Sequence, residues 1–152
     1  MLRSFWSVVV LALLWAVPAH AQQDFLPVEQ AFRLSVSQDG DGQVRLNWKI
    51  SEGYYLYRKQ VQVAGEPADS VQQVALPTGT LKNDAFFGPS EVYHDKLAVL
   101  VKAPAARALN VSWQGCADAG ICYPPQTLRV TLADIAATPE PASGVPAGDA
   151  KP

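Results

Sequence analysis

Apolar residues fall on every second position through much of the interior of this chain, and that period leaves little room for anything but β structure. Val44, Leu46, Trp48 and Ile50 alternate with Gln43, Arg45, Asn47 and Lys49, the pattern of a strand with one dry face and one wet face. The preceding stretch Phe32, Leu34, Val36 keeps the same period. Asp39-Gly40-Asp41-Gly42 between the two supplies turn residues, so the pair reads as a hairpin. Alternation returns at Val61/Val63, from Val71 to Leu76, at Leu97/Val99/Val101, at Leu109/Val111/Trp113 and at Leu128/Val130/Leu132. About seven short strands separated by turn signals, with no long amphipathic helix and no internal repeat, predict an all-β chain folded as an immunoglobulin-like β-sandwich.

The two ends of the 152-residue chain read differently from its middle. Arg3 precedes an apolar run from Phe5 to Val17, and Pro18-Ala19-His20-Ala21 is a small-x-small cleavage site. Residues 1–21 therefore read as a signal peptide, with Gln22 opening the mature chain; an uncleaved anchor is the alternative. The run is shorter than the roughly 20 apolar residues that span a bilayer. No later segment is apolar enough to cross, so no membrane span is expected in the mature chain. Residues 22–137 form one domain of ordinary size. From Thr138 to Pro152 the composition turns to Pro, Ala, Gly and Ser, a flexible tail or a linker to something longer. The net charge of -2 and the lack of any Lys/Arg cluster argue against nucleic acid as a partner.

Cys116 and Cys122 are the only cysteines, set in Gly115-Cys116-Ala117-Asp118-Ala119-Gly120-Ile121-Cys122-Tyr123-Pro124-Pro125. In an oxidising compartment two nearby thiols pair. The pair is either an inert staple or a redox centre. Three features count against the first, but reactivity depends on thiol pKa and access, so the residues by themselves leave both readings open. A loop this short gives only about 2.4 kcal/mol in the chain-entropy view. A staple of the immunoglobulin type joins strands far apart in sequence. The intervening residues are small and turn-prone, with Pro124-Pro125 holding the exit extended, which leaves the sulfurs within reach. A metal site is a poor fit, because His94 is the one histidine of the mature chain and the cysteine spacing exceeds the usual two to four residues. Cys/His hydrolysis lacks an orienting partner for that histidine. The Asp39–Gly42 run fails as a calcium loop, since Ile50 falls where a bidentate Glu is needed. No metal or cofactor is expected.

Two aromatic clusters accompany the cysteines. Asn83-Asp84-Ala85-Phe86-Phe87-Gly88-Pro89-Ser90 reads as a loop. One of its two phenylalanines is expected to tuck into the end of the sandwich and the other to cover something. Gly53-Tyr54-Tyr55-Leu56-Tyr57-Arg58-Lys59 reads as a strand whose rings divide between core and surface.

Together, Gly-Tyr-Tyr-Leu-Tyr-Arg-Lys, Phe-Phe-Gly-x-Ser-Glu and Gln-Gly-Cys-Ala-Asp-Ala-Gly-Ile-Cys-Tyr-Pro-Pro resemble the N-terminal periplasmic domain of DsbD, the thiol:disulfide interchange protein of Gram-negative bacteria. The resemblance runs from about Phe25 to Ile135. It implies a periplasmic oxidoreductase module whose cysteines take electrons from a thioredoxin-like domain. They then pass them to a periplasmic disulfide isomerase and to a thiol protein of cytochrome c maturation. It assigns the mixed disulfide to Cys122 and the resolving role to Cys116. It maps a cap loop onto Asp84, Phe86, Phe87 and Gly88, with Phe86 over the disulfide, and a partner-facing surface onto Tyr55, Tyr57 and Tyr123. Ala85 stands where the family carries a second acidic residue, so any acid–base help to the thiols falls on Asp84. The competing reading is an exported immunoglobulin-like binding module with an inert disulfide.

Overall fold

The computed structural model describes residues 24–40 and 42–136. The expected signal peptide and tail lie outside the described residues. Chain order runs α1 (Val28–Ala31), β1 (Phe32–Gln38), β2 (Gln43–Ile50), β3 (Tyr54–Tyr57), a 3-10 turn (Arg58–Gln60), β4 (Gln62–Glu66), β5 (Gln73–Ala75), β6 (Thr80–Asp84), β7 (Gly88–Tyr93), β8 (Lys96–Lys102), β9 (Ala108–Trp113), β10 (Gly115–Ala117), β11 (Gln126–Thr131) and α2 (Leu132–Ala136). The strands form an immunoglobulin-like β-sandwich. Its antiparallel sheets have the orders β1-β2-β8-β5, β10-β3-β7-β6 and β11-β9-β4.

The period-two stretches do what their pattern requires. β1 and β2 form the expected hairpin, and β2 pairs with β8 so that Leu46 faces Val99 and Trp48 faces Leu97. These inward side chains, with Val44, Ile50 and Val101, meet Leu109 and Val111 of β9 and Val130 of β11 to make the main core. Removing that apolar surface from water is the dominant favourable term in the fold.

The differences from expectation concentrate in one sheet. Eleven strands are present among the described residues, against about seven expected. The additional short ones gather in β10-β3-β7-β6. β3 is buried on both faces rather than half-exposed: Tyr54 and Leu56 enter the main core, while Tyr55 and Tyr57 join Val92 and Cys116 in a second, smaller cluster. A strand covered on both sides loses its alternation. The supposed loop from Asn83 to Ser90 is the tip of the β6–β7 hairpin, in which Asp84 pairs with Gly88 across a three-residue turn. Leu132, read as the end of a strand, begins α2 instead, and its amide bonds the Arg107 carbonyl at 2.9 Å.

Candidate active site

β10 brings the first cysteine into the second cluster. It pairs with β3 so that Cys116 lies opposite Tyr55. Gly115 makes that approach possible, because a Cβ there would sit 2.4 Å from the Phe32 ring and 2.5 Å from the Tyr55 carbonyl. Past Ala117 the chain turns tightly, with the Gly120 amide on the Ala117 carbonyl at 2.9 Å and the Ala117 amide on the Ile121 carbonyl at 2.7 Å. The returning arm sets Cys122 opposite Cys116 in an isolated antiparallel bridge. The two are joined by a disulfide, with their Cα atoms 4.0 Å apart. The sulfurs are not equivalent. Cys116 is 0% exposed, whereas Cys122 is only partly buried at the rim of the same cluster.

A hydroxyl sits against the buried sulfur. Tyr57 Oη lies 3.1 Å from Cys116 Sγ and 4.0 Å from Cys122 Sγ. Burial is the main cause that pushes the Tyr57 hydroxyl up to about 12, so it keeps its proton at neutral pH. Tyr55, edge-on to Tyr57 with ring centroids 5.4 Å apart, donates to Asp84 Oδ2. Burial, and then that bond, raise its hydroxyl well beyond the ordinary tyrosine range. Tyr55 and Tyr57, expected to face a partner, are buried in this structure, with 2% and 3% of their surface exposed. The β6–β7 hairpin lies beside β3 in the same sheet, and its side chains meet the two rings, with Phe87 against Tyr57 and Asp84 and Lys82 against Tyr55. Tyr123 likewise turns inward. Its hydroxyl donates to the Leu26 carbonyl and its ring stands edge-on to Phe32 at 5.6 Å.

Asp84 anchors the hairpin tip. Its Oδ1 accepts the amides of Phe86 at 2.8 Å and Phe87 at 3.0 Å, the local side-chain-to-backbone bonding that favours Asp in turns. Burial works to raise this carboxyl, but the hydroxyls of Tyr55 and Tyr57 and the two cap amides outweigh it, and the net shift is downward. The carboxylate is therefore ionised at neutral pH and its hydrogen bonds go to Tyr55 and the cap. The polar group in contact with sulfur is Tyr57, not Asp84. Gly88 closes the turn at φ 66°, a left-handed conformation suited to glycine.

Phe86 and Phe87 are 55% and 51% exposed, so neither tucks into the sandwich end as expected for one of them. The three-residue turn carries both beyond the sheet. Phe87 rests edge-on against Tyr57 with centroids 4.8 Å apart.

The protein-family model for the N-terminal part of the thiol:disulfide interchange protein DsbD matches residues 22–134. The chain belongs to this DsbD N-terminal family. DsbD 2 of Pseudomonas aeruginosa is 48% identical over 119 residues, covering 78% of this chain and 20% of that protein. DsbD of Escherichia coli K12 is 42% identical over 143 residues, covering 90% of this chain and 25% of that protein. The chain thus spans a quarter or less of the length of these relatives. Among solved structures, the reduced DsbD N-terminal domain of Neisseria meningitidis superposes with a TM-score of 0.65 at 34% identity, over 71% of this chain and 89% of that one. The complex of the Neisseria meningitidis DsbD and PilB N-terminal domains gives 0.63 at 34% identity, over 72% of this chain and 88% of that one.

Two features of this domain were not anticipated from its sequence. One is the Tyr57–sulfur contact. The other is Lys82 on β6, whose Nζ lies 4.7 Å from the centre of the Tyr55 ring and 2.9 Å from Asp118 Oδ1 in the loop between the cysteines. His94 is exposed and meets the Tyr55 ring at 5.8 Å between centroids. A groove of about 750 Å³ runs between Trp48, Trp113, Leu34 and Leu128 and includes neither cysteine. A smaller hollow of about 130 Å³, lined in part by Tyr57, Phe87 and Glu91, likewise includes neither cysteine.

Proposed function

We propose that this domain is a periplasmic thiol:disulfide exchange module that relays electrons through Cys116 and Cys122 from a thioredoxin-like donor to acceptor proteins. The observation that carries the reading is the asymmetric pair: one sulfur fully buried under a protonated tyrosine, the other at the rim. Neither the groove nor the smaller hollow is lined by a cysteine, which favours a second reactant that is another protein's sulfur brought to the rim of the cluster. Membership of the DsbD family and the Neisseria complex with a PilB domain support a protein partner of this kind. The acceptors implied by the family are a disulfide isomerase and a thiol protein of cytochrome c maturation.

In the receiving half-reaction a donor thiolate attacks Cys122 Sγ, the less buried end of the bond. The S–S bond breaks, a mixed disulfide forms and Cys116 leaves as thiolate. Tyr57 donates a hydrogen bond to that departing sulfur, which favours its charged form. The donor's second thiolate then displaces Cys122. The donor becomes a disulfide, and this domain holds two thiols after taking up two electrons and two protons. Delivery runs in reverse, with Cys122 attacking the acceptor disulfide and Cys116 resolving the mixed species. By the family resemblance the cap turn, with Phe86 assigned to the position over the pair, acts as a lid that limits exchange with unintended oxidants, since attack requires access as well as thiolate.

The test is covalent trapping. Cys116→Ser is mixed with a thioredoxin-like partner that lacks its own resolving cysteine and carries the remaining one as a mixed disulfide with a small thiol. It expels that small thiol and accumulates a stable adduct on a non-reducing gel, and Cys122→Ser forms little or none. The opposite pattern exchanges the two roles. Adducts from neither variant would make the disulfide an inert staple and the domain a binding module.

A further inference from the structure

Four ion pairs occur among the described residues, and Lys82–Asp118 alone joins the cap hairpin to the loop between the cysteines. Lys82 lies on β6, the edge strand of its sheet, two residues before the cap anchor Asp84. Its ammonium lies over the face of Tyr55, the ring whose hydroxyl binds that anchor, and meets Asp118 at 2.9 Å. Asp118 is itself pinned, because its amide donates to the Gly53 carbonyl at 2.8 Å. The hairpin is thus fastened at its far edge to a fixed point on the cysteine loop. At 32% and 45% side-chain exposure the two charges are neither buried nor fully hydrated, so the tie is one that thermal motion and salt can break.

We propose that Lys82 is the latch of the cap: its bridge from β6 to Asp118 holds the β6–β7 tip closed and sets how often Cys122 is uncovered. This rests on the cap acting as a lid over the disulfide. The latch makes a prediction of opposite sign to the commoner role of a lysine beside cysteines. An ammonium that stabilised a thiolate would raise reactivity, and its loss would slow exchange. An ammonium that holds a lid lowers reactivity, and its loss speeds exchange.

The experiment follows oxidation of the reduced protein by hydroxyethyl disulfide, which is uncharged, so salt does not alter the encounter itself. The two protein thiols become a disulfide and each reagent molecule becomes two thiols. Lys82→Met and Asp118→Asn are each expected to oxidise about three- to tenfold faster than the parent, the range for one exposed ion pair with a cation–π contact. The double variant should be no faster than the faster single one, because both remove the same contact. Lys82→Arg should return the rate to within about twofold of the parent, since charge and reach are kept. Raising salt from about 0.05 to 0.5 M should speed the parent and leave Lys82→Met unchanged. The equilibrium with glutathione should move less than about twofold in all of them, because a lid changes access and not the stability of the bond.

A Lys82→Met rate equal to or below that of the parent, or a glutathione equilibrium that moves in step with the rate, overturns the latch. Phe86→Ala separates the two levels of the argument. If it accelerates oxidation while Lys82→Met does not, the lid stands without this latch. If neither accelerates, the lid itself is wrong.

Discussion

Replacing Asp84 tests whether the site is built as a covered pair or merely decorated by a loop. Asp84→Ala removes the acceptor of the Tyr55 hydroxyl and of the Phe86 and Phe87 amides together. The tyrosine is buried, so its orphaned hydroxyl costs about 1–3 kcal/mol. The two amides lie in an exposed turn where water replaces the carboxylate, and they contribute about 0.5 kcal/mol each. The sum, about 2–4 kcal/mol, is a large part of a domain stability of roughly 5–15 kcal/mol. With a urea slope of about 2 kcal/mol/M, the midpoint should fall by about 1–2 M. Asp84→Asn keeps an oxygen for the amides and should lose about half as much. Acid adds a second reading. Tyr55, the cap amides and Tyr57 bind the ionised carboxylate and hold it below its usual range despite burial. A depressed carboxylate contributes its full stabilisation above the unfolded value of about 3.9 and loses it as pH falls through the folded value. The stability gap between parent and Asp84→Asn should therefore narrow below about pH 4. A loss under about 0.5 kcal/mol in Asp84→Ala, or a gap that does not narrow in acid, would refute the anchoring role.

Reduction of the native protein at neutral pH should leave its β-sheet circular dichroism intact, since the core of the other two sheets does not contain the cysteines; collapse of that signal would restore the staple. Phe86→Ala should oxidise faster than the parent from the reduced state with little change in urea midpoint, because the ring is half exposed; stopped-flow thiol titration reads the rate. Gly115→Ala should cost about 1–3 kcal/mol by driving a methyl group into Phe32 and the Tyr55 carbonyl, and an unchanged thermal midpoint would show that β10 can shift.

The sequence speaks clearly where a strand has one wet face. β1, β2, β8, β9 and β11 all show the alternation that their burial later explains, and the cysteine loop announces itself by composition. It is nearly silent about β10-β3-β7-β6. Those strands are three to six residues long, too short to display a period. β3 is covered on both faces, so Tyr54 to Tyr57 give no hint of which ring points where. The chemistry of the site depends on that missing register. Tyr57 meets Cys116 across 59 positions of sequence and Lys82 meets Asp118 across 36, and neither pair carries a local signal. A lysine on a short edge strand reads as a solvated charge until the fold places a carboxylate beside it.

The disulfide closes a hairpin of its own, with a sequence separation of six, instead of tying distant strands together. Folding and oxidation form a thermodynamic cycle. Whatever the bond adds to the stability of the fold, the fold must add to the stability of the bond. For a loop of this size the chain-entropy contribution is about 2.4 kcal/mol, equivalent to roughly 50 mV in a two-electron couple. A bond closing about 100 residues would carry about 4.7 kcal/mol, or roughly 100 mV. Because its cysteines are sequence neighbours, the architecture pulls only weakly on their potential. A partner sulfur can then take or give electrons without working against the sandwich.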